Sequence, residues 1–184
     1  MSTNTKNSVL VVDDESSNIM ALTHILSGDY VVLASKSGAN AIEAAKKHVP
    51  NLILLDVMMP EMDGFAVLAA LRDSEPTKNI PVIFVTGLSN SEDIERALSA
   101  GAVDYIAKPF SSVLVKRRVL SQMQIINQSR LINEQSGEMQ TSADTILSAV
   151  QKLRGPDASE QWDACLAEID SSARRLLEII KGVV

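Results

Sequence analysis

Val103-Asp104-Tyr105-Ile106-Ala107-Lys108-Pro109 carries an apolar run up to a lone lysine and closes it with a proline. Three earlier stretches have the same form. Val9-Leu10-Val11-Val12 leads to Asp13-Asp14, Leu52-Ile53-Leu54-Leu55 leads to Asp56, and Val82-Ile83-Phe84-Val85 leads to Thr86. Each run ends on a polar group of the kind that binds a divalent cation or a phosphoryl group. In a parallel sheet covered on both faces, strands read as continuous apolar runs and ligands gather beyond their carboxyl ends. The four groups are therefore expected in one cleft.

Between these runs lie amphipathic segments, and the alternation predicts repeated βα units around a parallel sheet. Strands are expected near 8–13, 30–34, 51–55, 81–85 and 103–107. Helices are expected near 16–27, 38–47, 64–73, 90–99 and from 111 onward. Pro50, Pro60, Pro81 and Pro109 fall at the edges of these elements, where a missing N–H does least harm. The fold class is thus α/β, a doubly wound five-stranded parallel sheet.

Composition narrows the functional classes. The 184 residues suffice for one well-buried domain and a smaller appendage. No apolar stretch approaches the roughly 20 residues that span a bilayer, and the polar tail over 1–8 lacks the regions of a signal peptide, so no membrane association is expected. One cysteine, Cys165, cannot form an internal disulfide, which suits a reducing cytoplasm. Net charge is −6, with acidic residues in excess on both sides of residue 120, so there is no basic footprint for nucleic acid. His24 and His48 fall on helices away from the strand ends and read as ordinary surface or packing residues.

After Ser121 the strand-like runs stop. Met139, Ala143, Ile146, Val150 and Leu153 recur at spacings of four and three, as do Trp162, Leu166, Ile169, Ala173, Leu176, Ile180 and Val183. Gly155-Pro156-Asp157 stops the first helix, and Asp157 with Glu160 has capping-box spacing for the second. A polar tail over 1–8, an α/β domain over 9–124 and an α-helical hairpin over 125–184 follow. Two helices alone bury little, so the apolar stripes predict a homodimer through a four-helix bundle. Trp162 reads as a core anchor, and Cys165 as packing.

The first 120 residues resemble a response-regulator receiver (CheY-like) domain. The likeness rests on Asp13-Asp14, Asp56, the stretch Met59-Pro60-Glu61-Met62-Asp63-Gly64, Thr86, Tyr105 and Lys108-Pro109, all at the family's spacing. It implies the strand order 2-1-3-4-5, Asp56 as phospho-acceptor, and a histidine kinase or phosphotransfer protein as partner. It also implies that Tyr105 is a switch aromatic that turns inward as Thr86 moves toward the phosphoryl group. Taken singly, Asp13-Asp14-Glu15 also suits a helix N-cap, Lys108-Pro109 a loop, and Tyr105 simple packing.

Three carboxylates in one cleft repel one another, and a hard, oxygen-seeking cation relieves the repulsion. Mg²⁺ is the expected cofactor, with Asp14, Asp56 and the backbone carbonyl of Met58 as direct ligands and Asp13 acting through water. Asp56 then serves as a carboxylate nucleophile, Lys108 meets one phosphoryl oxygen and Thr86 donates to another.

Residues 128–184 resemble the dimerisation and phosphotransfer (HisKA-like) hairpin of histidine kinases. Ser136-Gly137-Glu138-Met139-Gln140-Thr141-Ser142 tracks the family's phospho-acceptor box with glycine in place of histidine, and Ser172-Ala173-Arg174-Arg175-Leu176-Leu177-Glu178-Ile179-Ile180 tracks its second helix. Gly137 has no nucleophile, and no histidine follows His48. The chain ends at Val184 without an ATP-binding domain, so a kinase acting alone is not expected. Glu138 and Thr141 are three apart on one helix face and match positions that such kinases use to dephosphorylate receivers. The expected function is a two-component response regulator signalling through a dimeric hairpin to a protein partner. The alternatives are an aspartyl-phosphate phosphatase and a regulatory fragment of a hybrid kinase.

Overall fold

A computed structural model describes residues 6–87, 91–153 and 162–182, with the side chains of 91–94 and 182 excepted. The expected turn at Gly155-Pro156-Asp157 and its cap at Glu160, the seam residue Val183 and the start of the fourth helix at residue 90 lie outside the described residues. The chain forms two compact units, Met1–Ile126 and Asn127–Val184. Five strands are present: β1 Ser8–Val12, β2 Val31–Ser35, β3 Leu52–Asp56, β4 Val82–Thr86 and β5 Asp104–Ala107. Six helices are described: α1 Ser16–Leu26, α2 Gly38–His48, α3 Gly64–Arg72, α4 Ser91–Ser99, α5 Ser112–Leu153 and α6 Trp162–Gly182.

The sheet order is β2-β1-β3-β4-β5 and every pairing is parallel. This is the doubly wound, flavodoxin-like fold expected from the alternation of runs. Because successive side chains point to opposite faces, one strand feeds two cores. Leu10, Val12, Ile53, Leu55, Val82 and Phe84 face α2, α3 and α4 through Ala41, Ala45, Val67, Leu68, Leu71 and Ala97. Val9, Val11, Leu52, Leu54, Ile83 and Val85 face α1 and α5 through Leu22, Leu26, Val115, Val119 and Met123. All five residues of β3 and of β4 are buried, and burying a side chain the size of Leu54 contributes roughly 1.5–3 kcal/mol. The edge strand β2 is exposed at its start, which is why its limits are the least marked in sequence.

Local chemistry sets the element ends. Ser37 caps α2 and Asp63 caps α3, each side chain accepting an amide hydrogen bond from three residues on. The N-cap of α1 is Glu15, without a side-chain cap bond, so Asp13 and Asp14 are not caps. Gly64 donates its N–H to the Val57 carbonyl at 2.9 Å, and a Cβ there would collide with the Asp56 carbonyl. Only glycine lets the segment after β3 fold back this closely.

In the second unit the buried face of the hairpin differs in part from the sequence expectation. Cys165 is buried, whereas its neighbour Leu166 and the expected core anchor Trp162 are about half exposed. Ser142 and Ala149 are the buried positions of α5 in this unit. The fully buried side chains of this unit, Ser142, Ala149 and Cys165, are small; Ile146, Val150, Ile169 and Leu176 are half-buried, and Leu147, Trp162, Leu166, Leu177 and Ile180 lie exposed. No helix among the described residues is long and apolar enough to cross a membrane.

Candidate functional site at the carboxyl edge of the sheet

Asp13 and Asp14 follow β1, Asp56 ends β3, Thr86 ends β4 and Lys108 follows β5. Parallel strands bring all these ends to the same edge. Asp13, Asp56 and Thr86 are buried to within a few per cent, and Asp14 is half-buried. Carboxylate oxygens of Asp13, Asp14 and Asp56 lie within 4.8 Å of one another.

Lys108 holds the cluster together. Its Nζ donates to Asp13 Oδ2 at 2.8 Å and to Asp56 Oδ2 at 2.7 Å. Its backbone N–H donates to the Thr86 carbonyl at 2.8 Å, which ties the lysine to the end of β4. Asp13 Oδ1 accepts from the Glu15 amide at 2.9 Å and from Asn18 Nδ2 at 3.1 Å, while Asp56 Oδ1 accepts from the Met58 amide at 3.3 Å. Met58 itself is exposed, at the rim of the cleft.

Burial pushes the Asp56 carboxyl above its ordinary range, against the hydrogen bond and charge of Lys108, and the Asp13 charge adds to the rise. Burial alone would lower the Lys108 ammonium, but the hydrogen bonds and charges of Asp13 and Asp56 outweigh it and raise its pKa. The two directions are consistent, because Lys108 serves two carboxylates and each carboxylate has only a share of one cation. Three acids against one ammonium leave an excess of negative charge. The donor set is all oxygen, without thiolate or imidazole, and fits a hard divalent cation such as Mg²⁺.

Tyr105 lies in β5 in register with Phe84 of β4, half-buried against the core beneath α2, α3 and α4. His24 and His48 are exposed on α1 and α2, away from this edge. Asn18 was not singled out from sequence; a polar residue in the first turn of a helix gives no pattern, and only the fold sets it on Asp13.

In the second unit, Glu138, Thr141, Glu134, Gly137, Ser142 and Arg175 line a cavity of about 380 Å³. Thr141 Oγ1 donates to the Gly137 carbonyl at 2.9 Å, and Arg175 Nη2 lies 3.8 Å from Glu138 Oε1. The cavity therefore holds both residues that the sequence paired on one face.

The family model "Response regulator receiver domain" matches residues 9–120. A "Probable cyclic di-GMP phosphodiesterase" of Vibrio cholerae is 36% identical over 156 residues, covering 79% of this chain and 35% of that protein. "Response regulator PleD" of Caulobacter vibrioides is 40% identical over 114 residues, covering 61% of this chain and 25% of that protein. The chain thus spans about a third or less of these relatives' lengths. A solved structure of a putative response regulator from Chloroflexus aurantiacus superposes with TM-score 0.61 at 29% identity, covering 64% of this chain and 98% of that one. With the family match extending over more than half of its length and the acids and lysine gathered at one sheet edge, this chain belongs to the response regulator receiver family.

Proposed function

We propose that the chain is a two-component response regulator switched by phosphorylation of Asp56, with a histidine kinase or phosphotransfer protein as donor. The observation that carries this reading is the meeting of Asp13, Asp14, Asp56 and Lys108 at the carboxyl edge of the sheet. An Asp56 oxygen attacks the phosphorus of a phosphohistidine. The P–N bond breaks, its electron pair stays on the imidazole, which takes a proton from solvent, and an acyl phosphate remains on Asp56. Lys108 then donates to one phosphoryl oxygen and the Thr86 hydroxyl to another. Receiver domains generally bind Mg²⁺ at an acidic pocket. Here Asp14, Asp56 and the Met58 carbonyl would hold it directly and Asp13 through water, and the bound ion would neutralise charge around the transferred group.

Tyr105 acts as the switch aromatic, turning inward as Thr86 moves; its half-buried position one strand over from Thr86 supports this role. The second unit, a HisKA-like hairpin with Gly137 in place of the histidine, serves as a homodimerisation element. Its exposed Leu147, Trp162, Leu166, Leu177 and Ile180 support pairing with a second copy. Output goes to a protein partner in the cytoplasm, since the charge pattern is unsuited to nucleic acid. Under a second reading the hairpin is an aspartyl-phosphate phosphatase, favoured by one observation: Glu138 and Thr141 share a cavity with Arg175.

Incubation with Mg²⁺ and a small phosphodonor, followed by intact-mass measurement, tests the central reading. One phosphoryl addition is expected in the parent chain and none in Asp56→Asn. Addition that persists in the variant overturns the assignment of Asp56.

A further inference from the structure

Ile125, Ile132, Met139, Ile146 and Leu153 recur every seven residues along α5. Seven residues is the repeat of a two-stranded coil rather than of a helix laid on a globular core. From Ser142 onward the positions three after each of these, Ser142 and Ala149, are buried within the same chain. Upstream the stripe is open. Ile125 is 52% exposed, Ile132 61% and Met139 37%, and the intervening core positions are Gln128 and Gln135. Ile125 and Ile132 thus keep half or more of their surface open, and Met139 more than a third.

We infer that residues 125–139 of α5 pair in parallel and in register with the same stretch of a second copy. Three features of the sequence select that occupant. In a parallel pair each position of the seam meets its own copy, giving alternate isoleucine and glutamine layers. An antiparallel pair would set every isoleucine against a glutamine. A glutamine amide carries both donors and an acceptor, so two identical side chains satisfy each other across the axis, and a polar pair of this kind fixes register. The flanking positions Gln124, Ser129, Leu131 and Ser136 carry no charge, and the one charged flank, Glu138, would face Ala143 of the other copy in a parallel pair, so two identical helices meet without like-charge opposition. The inference extends the proposed dimer upstream of the hairpin, and it stands or falls separately from pairing through α6.

Single cysteines placed in the full chain test it. Ile132→Cys and Gln135→Cys lie on the seam, while Arg130→Cys and Asn133→Cys lie off it; all four are on the same short stretch, and the parent with its buried Cys165 is the blank. Mild oxidation should give disulfide-linked dimers of the two seam variants and none of the other two. Equal linking at all four positions overturns the inference, as does a mixed 132–135 link stronger than either self-link. If light scattering shows a dimer but neither seam position links, pairing through the hairpin survives and the parallel stalk is refuted.

Discussion

At the scale of single residues, Asp56 sets burial against charge. Its pKa is raised by burial and by the charge of Asp13, so the protonated form is favoured by folding. The sign follows from linkage. The contribution of Asp56 to stability is complete below the unfolded carboxyl pKa of about 3.9 and is lost as pH rises through the elevated folded value. At neutral pH the ionised group therefore weakens the fold. Asp56→Asn removes that charge and leaves Lys108 paired with Asp13. Without divalent cation at pH 7, the variant should melt later than the parent, by a difference on the order of 1 kcal/mol. The gap should close in acid and also on adding Mg²⁺, which stabilises only the parent strongly. Thermal unfolding by circular dichroism measures this, and equal melting at pH 7 without cation would refute the account. Asp13, Asp14, Asp56, Thr86 and Lys108 were legible in sequence because each interrupts an apolar run at the point where a strand must end. Asn18 was not, since its partner is set by tertiary packing.

At the scale of elements, the parallel strands were legible for the same reason, being short, apolar and bounded by turn residues. The helical hairpin was legible as an element but not in its facing. Spacing selects Leu166 for the apolar stripe, but Cys165 beside it is also apolar, and spacing alone does not measure which of the two a neighbouring helix covers. The structure buries Cys165 and leaves Leu166 about half exposed. Under the proposed dimer, that division would assign Cys165 to folding and Leu166 to assembly. Leu166→Glu should convert a dimer to a monomer in sedimentation or light scattering while helicity stays unchanged. A monomeric parent chain at high concentration, or a dimer unaffected by the substitution, would argue against pairing through this face. Ile146→Glu, at a half-buried position, should instead loosen the hairpin itself.

For the whole molecule, both hydrophobic cores and all the carboxyl-edge residues belong to the unit that ends at Ile126. Phosphorylation should therefore survive removal of residues 127–184. Comparing acyl-phosphate lifetimes in residues 1–126, the full chain, and full-chain Glu138→Ala and Thr141→Ala separates the two readings of the hairpin. A shorter lifetime only in the unaltered full chain supports a phosphatase. Equal lifetimes in all four leave it an assembly element.

The placement of β3 has a mechanical consequence. The strand is the middle one of five, held by β1 on one side and β4 on the other, with its side chains wedged alternately into two separate cores. Asp56 is thus the tip of a beam clamped along its whole length. A load applied to that tip cannot be relieved by the beam sliding, because any shift would disturb both layers of helices at once. It must instead be taken up by what is free to give way: the exposed rim around Met58, Pro60 and Glu61, and the side chains that reach the tip from neighbouring strands.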